Sequence, residues 1–165
     1  MQVKLTSKRS GSVLAESNKV CNAVGDRCVF ISATDKNATM PGKWRWAFTE
    51  AESKDAFIIT NCLSGGVLGE SMNTIYGTDD MTAVFVSPAD KNDTVPGKWR
   101  WHIAMYDGGP HYVIANQRTG AFLAESCDEF NELGDRFVYA LKGDLQSGTI
   151  QERCLWNVDM DEPMV

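Results

Sequence analysis

The hexapeptide Pro41-Gly42-Lys43-Trp44-Arg45-Trp46 recurs letter for letter as Pro96-Gly97-Lys98-Trp99-Arg100-Trp101, 55 residues later. One further step of 55 lands on Trp156, within Cys154-Leu155-Trp156-Asn157-Val158. Three tryptophans at one spacing require three copies of a single unit, a constraint stronger than any local propensity. Ser10-Gly11-Ser12-Val13-Leu14-Ala15-Glu16-Ser17 returns as Ser64-Gly65-Gly66-Val67-Leu68-Gly69-Glu70-Ser71, and again as Thr119-Gly120-Ala121-Phe122-Leu123-Ala124-Glu125-Ser126. The units span about 1–55, 56–110 and 111–165, together one domain.

Within each unit the apolar residues alternate and turn residues intervene, which favours strands over helices. The first unit reads as strands Val3 to Ser7, Ser12 to Ser17, Cys28 to Ser32 and Lys43 to Phe48. The second reads Phe57 to Asn61, Gly66 to Ser71, Thr82 to Ser87 and Lys98 to Ala104. The third reads Tyr112 to Asn116, Ala121 to Ser126, Arg136 to Leu141 and Cys154 to Val158. Its long loop lacks the Pro-Gly-Lys-Trp motif, so this unit has diverged most. Four strands cannot cover their own apolar face, so the copies share a core. A threefold closed form of twelve strands is a β-trefoil; the rival propeller needs at least four blades. Trp46, Trp101 and Trp156 are expected at its centre, joined by Leu14, Leu68 and Leu123.

The net charge of −6 argues against nucleic acid, whose phosphates reward a basic face. No apolar run approaches the roughly 18 residues that a membrane-spanning helix needs. The chain opens without a signal peptide, and Met1 reads as an initiator added to a mature secreted chain. Asn37-Ala38-Thr39 and Asn92-Asp93-Thr94 are glycosylation sequons in equivalent loops, which also points to secretion. The five cysteines leave at least one thiol without an intramolecular partner. Cys21 and Cys28 flank a hairpin turn and are the easiest pair to bridge, with the connectivity left open.

Catalytic chemistry finds little purchase. His102 and His111 have no repeated partners and read as surface histidines. No phosphate loop, zinc spacing or nucleophile elbow is present, so neither metal nor cofactor is expected. Glu16, Glu70 and Glu125 recur, but a threefold axis spreads them apart, whereas glycoside hydrolysis needs a carboxylate pair about 5–9 Å apart. The expectation is a binding protein. A sugar site needs an aromatic face and a few fixed polar groups. If Trp46 is central, Trp44 starts the same strand near the rim, so Trp44 with Arg45 and Trp99 with Arg100 form two candidate patches. Glu16, Glu70 and Glu125, each followed by serine, offer a second set, with hairpin capping as the alternative role. Asn116 belongs to the most polar hairpin, that of the third unit.

The terminal-strand tryptophan resembles the ricin-type lectin trefoil, whose repeats end in Gln-x-Trp. Here the motif reads Trp44-Arg45-Trp46, Trp99-Arg100-Trp101 and Cys154-Leu155-Trp156, so the glutamine is replaced in every copy. The ricin-type aspartate falls near Ala15, Gly69 and Ala124. Five cysteines with five tryptophans, the paired sequons and the repeated hexapeptide also resemble the cysteine- and tryptophan-rich salivary family of Culex mosquitoes. That resemblance implies a secreted β-trefoil delivered in saliva during blood feeding, with carbohydrate binding; the expectation is a monomer whose partners are host glycans or glycoproteins. The alternatives are a module that blocks a protein or scavenges a small mediator through loops 33–42 and 88–97, and a cytosolic actin-bundling trefoil.

Overall fold

The computed structural model describes residues 2–20, 26–32, 41–52, 55–74, 81–87, 96–129, 136–142 and 150–160. Alternation makes the strands: along β1 (Gln2–Ser7) the odd positions Val3, Leu5 and Ser7 are buried while Gln2 is exposed. The first unit continues with β2 (Val13–Val20), β3 (Arg27–Ser32) and β4 (Trp46–Glu50). The second comprises β5 (Ala56–Asn61), β6 (Val67–Thr74), β7 (Met81–Ser87) and β8 (Trp101–Met105). The third comprises β9 (Tyr112–Asn116), β10 (Phe122–Glu129), β11 (Arg136–Leu141) and β12 (Trp156–Met160). The fold class is all-β and the strand number is the expected twelve.

Strand pairing closes two rings. Three long antiparallel ladders, β1 with β12, β4 with β5 and β8 with β9, form the sides of a barrel. Short pairings close it: Val3 faces Trp46, Phe57 faces Trp101 and Tyr112 faces Trp156, one register seen three times. The remaining strands form hairpins β2–β3, β6–β7 and β10–β11. These join one another through β3–β7, β7–β11 and β11–β3, so the hairpins make a triangle across one barrel end. Each hairpin slips register just after Glu16, Glu70 or Glu125. The turn entering each hairpin carries a glycine at positive φ, +72° at Gly11, +73° at Gly65 and +75° at Gly120. An L side chain is disfavoured there, which is why this glycine survives in all three copies.

Trp46, Trp101 and Trp156 are fully buried in one cluster with Leu14, Leu68 and Leu123, as expected. Each indole N–H donates to the carbonyl of the leucine in its own unit, at 3.1 Å to Leu14, 3.0 Å to Leu68 and 2.9 Å to Leu123. The rings therefore fill the barrel and tie it to the cap without orphaning a polar atom.

One feature of the expected fold needs correction. Lys43 to Phe48 is not a continuous strand: Pro41–Trp44 forms a 3-10 turn, and β4 begins at Trp46. Pro96–Trp99 does the same ahead of β8, and Glu152–Cys154 ahead of β12. Arg45 N–H bonds back to Gly42 at 3.2 Å and Arg100 N–H to Gly97 at 3.3 Å, so the segment curls instead of extending. Strand alternation would place Trp44 and Trp46 on one face; the curl separates them. Trp46 enters the barrel, and Trp44 packs outside it on Val13, Ala15 and Phe30.

Candidate functional site

The 3-10 turns set the geometry of the aromatic residues. Trp44 meets Phe30 edge to face, with centroids 6.0 Å apart, and Lys43 Nζ lies 5.0 Å from the indole centroid. Trp99 meets Phe85 at 5.5 Å, and Lys98 Nζ lies 4.8 Å from that indole. Both indoles are buried, at 2% and 1% exposure, which corrects the expected rim position of Trp44 and Trp99. The lysines cover them, a cation–π arrangement that leaves no aromatic face for a sugar. Neither indole Nε1 has a hydrogen-bond partner among the described residues. Arg100 is also buried and grips Glu52 with two bonds, Nε to Oε2 at 3.1 Å and Nη2 to Oε1 at 3.0 Å. Those bonds hold the exposed Glu52 carboxyl below its ordinary pKa. Arg45, half-buried, accepts through its carbonyl from Cys62 N–H at 2.9 Å.

The three glutamates clasp neighbouring units together. Ser64 donates to Glu16 at 2.8 Å, Thr119 to Glu70 at 2.7 Å and Ser7 to Glu125 at 2.7 Å. All three carboxylates are buried, and Arg118 Nη2 approaches Glu70 to 3.6 Å while Arg136 Nε lies 3.9 Å from Glu125. Burial pushes the Glu16 and Glu70 carboxyls above their ordinary pKa, against the opposing pull of their hydroxyl donors and of Arg27 and Arg118. Asn116 is fully buried and donates to Lys98 O at 3.1 Å while accepting from Arg118 N–H at 3.0 Å. Asn61 bonds Lys43 O in the same way, at 3.1 Å. Of the eight residues nominated from sequence, Arg45 alone is not buried. The other seven hold the architecture.

Three junctions result, each formed where the hairpin-entry turn of one unit meets the 3-10 turn of the unit before it. Two are shut. A Cβ added at Gly42 would stand 3.0 Å from Leu63 Cβ, and one at Gly97 would stand 3.2 Å from Arg118 Cβ, so glycine allows the turns to touch. Asn61 and Asn116 then stitch them closed. The junction between the third and first units keeps the backbone bond common to all three, Lys8 N–H to Leu155 O at 2.9 Å, but lacks the glycine and the asparagine. Glu152 stands where Gly42 and Gly97 stand, Ser7 replaces the asparagine, Arg9 replaces Leu63 and Arg118, and Cys154 replaces the buried indole. An open pocket of about 290 Å³ lies there, lined by Arg9, Gln151, Glu152 and Arg153. Arg153 lies 5.7 Å from the Tyr139 ring centroid, donates from Nη1 to the Tyr139 hydroxyl at 2.5 Å and from Nε to Gln151 Oε1 at 2.7 Å. Lys8 Nζ stands 3.6 Å from Glu152 Oε1 at the edge. None of these residues was nominated from sequence. The usable signal was the change of Pro-Gly-Lys-Trp into Gln151-Glu152-Arg153-Cys154.

Asn37, Asn92 and Cys21 lie outside the described residues, and with them the sequons and the proposed Cys21–Cys28 bridge. Cys154 is a buried free thiol whose pKa burial raises to about 11, with Arg153 pulling the other way. His102 and His111 are partly exposed, and His102 Nδ1 lies 3.3 Å from Asp55 O. Among the described residues no group of histidine, cysteine or acidic side chains is placed to hold a metal ion. No helix there is long and apolar enough to cross a membrane.

No protein-family model matches the sequence, and no curated protein matches it. Solved structures do. A Culex salivary protein of the Cysteine and Tryptophan-Rich family is 20% identical with a TM-score of 0.69, the match covering 96% of this chain and 92% of that one. The chain shares its fold. The Macrolepiota procera ricin B-like lectin, solved in complex with lactose, is 16% identical with a TM-score of 0.67 over 98% of this chain and 96% of its own. ThreeFoil, a designed 3-fold symmetric protein, is 14% identical with a TM-score of 0.67 over 96% and 98%.

Proposed function

We propose that this protein is a secreted β-trefoil module that binds glycans and performs no catalysis. The observation that carries the reading is the open junction between the third and first units, a surface pocket of about 290 Å³ lined by Arg9, Gln151, Glu152 and Arg153. Among the described residues the other two junctions are closed at Gly42 and Gly97. Its volume is near the lower end for small-ligand sites, roughly 300–1,000 Å³, and suits one sugar ring. Gln151 and Glu152 supply acceptors for hydroxyl groups, and Gln151 and Arg153 supply donors. The fold shared with a lactose-bound lectin supports a saccharide, and the fold shared with a salivary protein supports release into saliva. The two sequons agree with an extracellular chain and with host glycoproteins as partners. The acceptor set contains no spaced carboxylate pair, so recognition without hydrolysis is the reading. A screen of the folded, monomeric protein on a glycan array tests it. Binding of a defined saccharide class is expected, and a folded sample with no binder above background overturns it.

A further inference from the structure

We infer that the Glu70 clasp, between the second and third units, binds one buried water molecule through Glu70, Thr82 and Arg118. The inference stands apart from the glycan reading and makes no use of the open junction. Three buried polar atoms meet here without a hydrogen-bond partner among the described residues: Glu70 Oε1, Thr82 Oγ1 and Arg118 Nε. Arg118 Nη2 lies 3.6 Å from that carboxylate oxygen, so the guanidinium faces it. Burial raises the Glu70 pKa, and Thr119, Arg118, Thr82 and Lys142 pull it back in that order, which puts the Thr82 hydroxyl beside the same carboxyl. Glu70 is fully buried and Thr82 is 9% exposed, so bulk solvent does not serve them. Buried polar groups of folded proteins are partnered by protein or by ordered water.

The other two clasps show what differs. Glu16, Glu70 and Glu125 pair with Val29, Val84 and Val138, and two residues before those valines stand Arg27, Thr82 and Arg136. Arg136 Nε lies 3.9 Å from Glu125 Oε1. Burial raises the Glu16 pKa too, with Ser64 and then Arg27 opposing it. An arginine of the hairpin thus attends both of those carboxylates. Threonine is too short to do the same. Arg118 reaches Glu70 from the turn between β9 and β10 instead, which leaves the place beside the Thr82 hydroxyl to a small molecule. Glu125 Oε1 is also unpaired, but neither Arg136 nor Ser7 beside it has an unpaired buried atom. A water supplies what the three atoms of the middle clasp lack. It donates to Glu70 Oε1 and to Thr82 Oγ1 and accepts from Arg118 Nε, and about three bonds are usual for a buried water. It ties β6, β7 and the turn between β9 and β10 into one network.

Crystal structures of the wild type, Thr82→Ser and Thr82→Val, at a resolution that shows ordered solvent, test this directly. In the wild type a water is expected within about 2.5–3.2 Å of Glu70 Oε1, Thr82 Oγ1 and Arg118 Nε. Thr82→Ser keeps the hydroxyl and should keep the water. Thr82→Val removes one of its three bonds at nearly constant volume and should lower the folding equilibrium constant about tenfold in urea denaturation, with Thr82→Ser within about threefold of the wild type. Direct bonds among Glu70, Thr82 and Arg118 with no water between them overturn the inference, and so does a Thr82→Val protein as stable as the wild type. Either result leaves the glycan reading untouched.

Discussion

The first two 3-10 turns and the third occupy equivalent places, and each lays a cation over an aromatic ring. They differ in what they bury and how closely they meet the neighbouring turn. Pro41–Trp44 and Pro96–Trp99 end in buried indoles, press a glycine against the neighbouring turn and carry a lysine across the aromatic pair. Glu152–Cys154 buries a thiol instead and presents Glu152 and Arg153 to a pocket. A threefold frame thus keeps its shared core while one junction is released from packing. The lesson is that symmetry in a triplicated chain marks what the fold needs, and the place where symmetry fails marks a surface available for other work.

The comparison breaks first if the core is not equivalent in all three units. Trp46→Ala, Trp101→Ala and Trp156→Ala should each cost about 3–5 kcal/mol, and by similar amounts, in chemical denaturation. A tryptophan that can be removed for under about 1 kcal/mol would show that its unit does not share the common centre. Next, Gly97→Glu should cost about 1–3 kcal/mol, because its Cβ has only 3.2 Å to Arg118 Cβ. The reverse change in the open copy, Glu152→Gly, should stay within about 0.5 kcal/mol, as at an ordinary surface position. Equal costs for the two would erase the distinction between shut and open junctions.

A smaller effect concerns the clasps. Thr119→Ala removes the hydroxyl that donates to buried Glu70 and should cost about 1–2 kcal/mol. The pH dependence has a definite sign. Glu70 has a folded pKa above its ordinary value of 4.5, so its stabilising contribution is complete below that value and is lost as pH rises through the folded pKa. Wild type should therefore gain stability relative to Glu70→Gln as pH falls from 7 towards 4.5, read by urea denaturation. The opposite trend would mean that Thr119 and Arg118 outweigh the desolvation of the carboxylate.

Much of the frame was legible because its determinants repeat. Trp46, Trp101 and Trp156, the leucines they bond, and the glycine of each entry turn recur at nearly one spacing, since each serves the same contact three times. The curl of Pro41–Trp44 was not legible. Lys43-Trp44-Arg45-Trp46 has the alternation of a strand, and the back-bond from Arg45 to Gly42 that curls it is visible only in three dimensions. Trp44, Trp99 and the three glutamates thus resemble ligand residues in one dimension and are packing or clasping residues in three. Arg9 and Arg153 were invisible for a converse reason. They are distant in sequence and adjacent only because β1 pairs with β12 across the closure of the barrel.

The most direct measurement is the change in backbone amide resonances of the isotope-labelled protein on titration with lactose. Shifts concentrated on Arg9 and on Gln151 to Arg153 are predicted, with Gly42, Leu63, Gly97 and Arg118 undisturbed. Shifts shared equally by the three junctions, or centred on Trp44 and Trp99, would contradict the claim that one released junction carries recognition.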